Sequence, residues 1–245
     1  MSERSISFMK LHRRFGVLIA LTLTASLFGA TPLHSQGVSA TVVDEPIEWT
    51  WAARPEHPDP ALPNVLLIGD SITRGYYPDV AKDLQGKANC YLYATSAAVG
   101  DPRLPLQLND LFALYRVPFS VIHFNNGMHG WGYTEAQYVV GLKTMLSTIR
   151  AQAPVAPLIW ASTTPVTEDA KGVGATNARI DQRNTLALSL MQPGIIKVDD
   201  QHALMLQHQD LHTGTVHYTP EGSAVQAEQA AAGIAALLPS PKPGR

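Results

Sequence analysis

From residue 64 onward, short apolar runs alternate with longer stretches whose apolar positions recur at helical spacing. Five of these runs read as strands: Val65–Ile68, Cys90–Tyr93, Ser120–Phe124, Ala156–Ala161 and Ile195–Val198. Helices are expected at about Pro78–Gln85, Leu104–Tyr115, Glu135–Gln152, Ala175–Met191 and Pro220–Leu238. Near-continuous apolar strands alternating with amphipathic helices predict a parallel sheet covered on both faces. The expected fold class is therefore α/β, a three-layer α/β/α sandwich. The last helix carries its own start signal, with Thr219 as N-cap, Pro220 at the first helical position and Glu221 in the first turn. Pro239, Pro241 and Pro243 follow it, and residues 239–245 are expected to be a disordered tail.

Ahead of residue 64 the pattern changes twice. Arg4, Lys10, Arg13 and Arg14 precede an apolar run, Phe15–Ala30, in the order of a secretory signal. That run holds threonines, a serine and glycines and is short for a spanning helix, so export is expected in preference to anchoring. Cleavage after Ala40, with Val38 and Ala40 as the small pair, would leave no stable membrane anchor and a periplasmic or secreted protein. The Arg13–Arg14 pair also allows twin-arginine export. Residues 41–63 carry Pro55, Pro58, Pro60 and Pro63 too closely for a helix or a central strand, so an extended arm is expected. Trp49 and Trp51 alternate and can share one face, pinning that arm to the domain at 64–238.

Charge and cysteine content narrow the function. Residues 41–245 hold 14 basic and 19 acidic side chains, a formal net charge of −5. This argues against nucleic acid or anionic lipid as partner. Cys90 is the single cysteine and lies in a strand-like run, so no internal disulfide forms and a buried, inert thiol is expected.

The candidate chemistry begins where the first apolar run stops. Val65–Ile68 is followed by Gly69-Asp70-Ser71-Ile72-Thr73, which places a serine at the start of a helix at the carboxyl edge of a sheet. A serine hydroxyl is nearly inert at neutral pH, so hydrolysis requires a base within hydrogen-bond reach and donors for the oxyanion. His217, two residues ahead of the Thr219 cap, suits the base. His12 and His34 fall in the export segment, His57 in the arm, and His123 inside a strand where a packed core role is expected. His202 and His208 read as helix-surface positions. His208, His212 and His217 do not share a helical face, because Gly214 interrupts them, and no metal site is expected.

Four blocks resemble the SGNH, or GDSL-type, hydrolase superfamily: Gly69–Thr73, Ser96–Asp101, Phe124–His129 and Val216–Gly222. Their order spans about residues 64 to 238. The resemblance implies a flavodoxin-like five-stranded parallel sheet, a Ser71 nucleophile, His217 as general base and no cofactor. It implies an oxyanion hole made of the N–H groups of Ser71 and Gly100 and an asparagine side chain after the third strand. Asn126 or Asn125 fills that last role if the blocks are aligned on the strand end. Aligned on the glycine, His129 falls there, and His129 and Asp70 are otherwise pocket candidates. The family usually places an aspartate three residues before the histidine, where this chain has Gly214. Asp210, or a backbone carbonyl serving a Ser-His dyad, is the expected substitute. Asp199 and Asp200, at a strand end, read as helix caps in preference to a replacement acid. Ser162–Val166 and residues 168–176 read as an exposed connector or a substrate-facing loop. The resulting expectation is an exported serine esterase acting on a short-chain acyl ester, such as a carbohydrate O-acetyl ester. The rival expectations are an O-acyltransferase using the same acyl-enzyme and a non-catalytic glycan-binding module.

Overall fold

The computed structural model describes residues 42–167 and 174–239. The expected leader over residues 1–40, the tail after residue 239 and residues 168–173 of the connector lie outside the described residues.

The sheet is built from β1 (Thr50–Ala53), β2 (Asn64–Gly69), β3 (Asn89–Thr95), β4 (Phe119–Phe124), β5 (Leu158–Ala161) and β6 (Ile196–Asp199). Its spatial order is β1-β3-β2-β4-β5-β6. Strands β2 to β6 are parallel and match the five expected runs, while β1 adds an antiparallel edge along β3, with Thr50 opposite Thr95. The sheet thus has six strands where five were expected. The extra strand comes from the arm: it is short and largely exposed, so it carries no buried apolar run to mark it. An edge is also the one place in a sheet that suits a segment flanked by prolines.

Alternate strand residues point to opposite faces. Leu66 and Ile68 pack with residues of α2 (Leu104–Tyr115), α3 (Glu135–Gln152) and α4 (Asn177–Leu188). Val65 and Leu67 pack with residues of α1 (Ser71–Asp83) and α6 (Pro220–Ala235). Both faces of the sheet are therefore covered, as a three-layer sandwich requires. Each fully buried core side chain such as Leu67 contributes about 1.5–3 kcal/mol.

Helix α1 starts at Ser71, not near Pro78, which lies inside it. Proline lacks the N–H that would bond back one turn, so a start near Pro78 was the natural expectation. The Asp70 cap overrides it by satisfying the first turn. The turn Gln201–Leu206 forms a short helix, α5, and the hairpin β7 (His212–Thr213) and β8 (His217–Tyr218) precedes α6.

This topology fixes where chemistry can occur. From β2 the chain crosses through α1 to β3 on one side, then returns through α2 to β4 on the other side of β2. The carboxyl ends of β2 and β4 consequently flank a topological switch point, the place where open α/β sheets bind their ligands. Ser71 follows β2 and Asn125–His129 follow β4.

Candidate active site

The turn after β2 is held by one carboxylate. Gly69 ends the strand where any Cβ would run into the Thr73 side chain, so glycine lets α1 begin hard against the sheet. Asp70 is buried and caps α1: its Oδ1 accepts the Ile72 N–H at 2.9 Å. Its Oδ2 accepts the Met128 N–H at 3.1 Å, which ties the serine turn to the loop after β4. Ser71 is the first helical residue, and its N–H is one of the donors that a helix start leaves free.

His217 reaches that serine from β8. Its Nε2 lies 2.8 Å from Ser71 Oγ, bridging 146 positions of sequence. The hairpin turns at Gly214, which has φ +70, a left-handed conformation that favours glycine over the aspartate the family pattern would place there. His212 Nδ1–H donates to the His217 carbonyl at 3.2 Å, and its ring stacks on Tyr218 at 4.3 Å between centroids. The Tyr218 hydroxyl donates to the Pro165 carbonyl at 3.0 Å, and Thr219 then caps α6. The His217 imidazole therefore sits on a braced two-strand turn immediately before a helix. Partial burial holds the His217 pKa below the usual imidazole value; Arg74 and His129 add to that, and Asp70 opposes it.

The loop after β4 separates the two asparagines by their bonds. Asn125 is committed to the fold: its Nδ2 donates to the Ala161 carbonyl and its Oδ1 accepts the Gly127 N–H. Asn126 is 3% exposed, yet neither its Nδ2 nor its Oδ1 has a partner among the described residues. A buried amide left with both ends unpaired is costly unless something else binds it. His129, three residues on, is mostly buried, with Nδ1 3.5 Å from Glu45 Oε1. Gly100 lies beneath the Tyr133 ring, where a Cβ would fall 2.7 Å from the ring, and its N–H bonds nothing among the described residues.

The structure does not bring an orienting acid to His217. Asp210 is exposed on a 3-10 turn, and among the described residues no carboxylate hydrogen-bonds the His217 ring. Asp199 is not a cap. It is the buried last residue of β6, where it accepts from His123 Nε2 at 2.7 Å, Gln201 Nε2 at 3.0 Å and Gln229 Nε2 at 2.6 Å. Burial would raise its pKa, and those three donors outweigh burial and lower it. Asp200 is the cap, accepting the Ala203 N–H at 3.1 Å. No group of metal-ligating side chains occurs among the described residues. Cys90 is buried, which pushes its thiol up to about 12.

Two features had no local signal in the sequence. Glu45, from the arm, accepts the Gly130 N–H at 3.0 Å across 85 positions. Arg74, one turn beyond Ser71 on α1, lies 5.3 Å from the Trp49 ring centroid and 5.2 Å from that of Trp51. Both tryptophans do share a face, meeting the same guanidinium one helical turn from Ser71.

No protein-family model matches the sequence, and no curated protein sequence matches it. Solved structures match it by fold. A lipase/acylhydrolase from Enterococcus faecalis aligns with a TM-score of 0.60 at 15% identity, covering 75% of this chain and 100% of that one. A carbohydrate esterase family 3 protein from Talaromyces cellulolyticus gives 0.56 at 15% identity, over 72% of this chain and 98% of that one. A lipolytic G-D-S-L family protein from Veillonella parvula gives 0.54 at 20% identity, over 68% and 95%. The fold of this chain is that of the SGNH/GDSL hydrolases.

Proposed function

We propose that the protein is an exported serine esterase that removes a short acyl group, such as an O-acetyl, from a carbohydrate. The contact of 2.8 Å between Ser71 Oγ and His217 Nε2, at the switch point of the sheet, carries this reading. Ser71 Oγ attacks the ester carbonyl carbon while His217 Nε2 takes the hydroxyl proton. The oxyanion then receives the N–H groups of Ser71 and Gly100 and the Asn126 amide, whose unpaired state suits a ligand oxygen. Collapse breaks the ester C–O bond, and the alcohol leaves with the proton held by His217. Water, deprotonated by the same ring, releases the acid and restores Ser71.

The lowered His217 pKa supports the base role, since the ring is neutral and able to accept at neutral pH. Without an acid on Nδ1, Asp70 is the carboxylate whose charge favours the imidazolium. This is a weaker arrangement than a full triad, in which much of the remaining rate comes from the oxyanion hole. The short acyl group and carbohydrate alcohol draw support from solved structures of this fold that include a carbohydrate esterase and an acetyl esterase. The signal-like residues 1–40 support export. The test is product analysis with an acetylated oligosaccharide, with and without a free sugar acceptor, for wild type, Ser71→Ala and His217→Ala. Free acetate formed by wild type and lost in both variants is the expected result. Acetyl transfer dominating over hydrolysis would replace the esterase with an O-acyltransferase. Binding without turnover would make the protein a glycan-binding module.

A further inference from the structure

Two side-chain nitrogens on the loop after β4 are buried without a partner among the described residues: Asn126 Nδ2 and His129 Nε2. The loop that carries both is tied to the serine turn through the bond between Met128 N–H and Asp70, so His129 follows the residue anchored beside Ser71. The loop is also braced from behind. Arg183, on α4, is buried between the Trp131 and Tyr138 rings and donates to the carbonyls of Gly130 and Tyr133 at 3.1 and 2.9 Å. With its backbone held, the His129 ring is set by the arm. Glu45 Oε1 sits 3.5 Å from Nδ1, and the Trp49 ring meets the imidazole edge-on at 6.1 Å between centroids. A carboxylate at Nδ1 keeps the proton on that nitrogen or charges the ring, and in the charged ring Nε2 is a donor as well.

We propose that His129 is a further catalytic residue, whose Nε2–H donates to the oxyanion of the bound ester, and that Glu45 is its positioning residue. The inference rests on the esterase reading above. It accounts for a buried imidazole nitrogen that the fold itself leaves unpaired, and for an acidic arm residue brought into the site from outside the hydrolase core. The titratable groups around the ring are Glu45 and Glu48 from the arm, Asp70 from the serine turn and His217 from the hairpin. Arg183 approaches its carbonyl at 3.4 Å from α4. Burial opposes a charge on His129, but Glu45, Asp70 and Glu48 outweigh it and hold its pKa above the usual imidazole value. The Glu45 carboxyl is lowered in return, chiefly by His129.

The test uses the mature chain with p-nitrophenyl acetate and three variants: His129→Ala, His129→Gln and Glu45→Gln. A donor that acts on the transition state is expected to show a fall in kcat of about 100-fold in His129→Ala with KM little changed. His129→Gln, which keeps an N–H, should recover part of that loss. Removing the His129 charge should raise the His217 pKa, moving the acidic limb of the kcat profile to higher pH in His129→Ala. In Glu45→Gln the ring loses its proton earlier, so activity should fall at a lower pH on the alkaline side. If His129→Ala is unfolded, His129→Gln and Glu45→Gln read the same two limbs. Wild-type kcat and unmoved limbs in the folded variants overturn the proposal, while the esterase reading survives if wild type turns over. If wild type forms no acyl-enzyme at Ser71, both readings fail together.

Discussion

Exchanging Asp70 for Asn isolates the bond that joins the serine turn to the loop after β4. The side chain keeps its shape, and Asn is as good an N-cap as Asp, so one amide oxygen can still serve the Ile72 N–H. The carboxylate now accepts two N–H groups, from Ile72 at 2.9 Å and Met128 at 3.1 Å. Whichever way the amide turns, one of these buried donors faces an NH2 group. Losing a charged acceptor from a buried N–H costs about 1.5–3 kcal/mol. At about 2–4 °C per kcal/mol for a chain of this size, the melting temperature should fall by about 3–12 °C. Asp70→Ala should fall further by about 1 kcal/mol, because the cap is lost as well. Removing the charge also removes the influence that raises the His217 pKa, so the acidic limb of kcat/KM should move to lower pH. Thermal unfolding and a pH-rate profile read the two effects separately. An Asp70→Asn protein that melts with wild type and keeps its acidic limb would refute the bridging role assigned to this carboxylate.

The two asparagines should part company under substitution. Asn126→Ala should lower kcat by about 10²–10³-fold with little change in melting temperature, whereas Asn125→Ala should destabilise by about 1–3 kcal/mol through its lost bonds to Ala161 and Gly127. Arg74 contributes to lowering the His217 pKa, so Arg74→Gln should shift the acidic limb to higher pH without abolishing turnover. Gly141 on α3 packs where an added Cβ would strike the Val99 carbonyl, a backbone atom in the loop that carries Gly100. Gly141→Ala should therefore destabilise by about 1–3 kcal/mol and lower kcat, as measured by denaturant unfolding and steady-state kinetics.

The parallel strands were legible because each is buried on both faces, so the chain writes them as unbroken apolar runs such as Val65–Ile68. Strand β1 was not, because an exposed edge of four residues needs no such run. The start of α1 was obscured by Pro78, whose cost the Asp70 cap and the α1 packing residues Tyr76 and Val80 outweigh. At the site, Ser71 and His217 could be found from a strand end and a helix cap, both of them local signals. The choice between Asn125 and Asn126 could not, since it depends on which amide the carbonyl of Ala161 engages. The expected cap role at Asp199 failed for the same reason: His123, its partner, is 76 positions away. Glu45 was invisible because its partners at His129 and Gly130 are joined to it only through the folded sheet.

If His217 activates Ser71 as a nucleophile, Ser71 reacts with a serine-directed electrophile only while His217 is present. Fluorophosphonate labelling followed by peptide mapping tests it most directly. A single phosphonylated residue, Ser71, is expected, at a rate that collapses by at least about 10³-fold in His217→Ala. Modification of another residue, or labelling of Ser71 that is indifferent to His217, would contradict it.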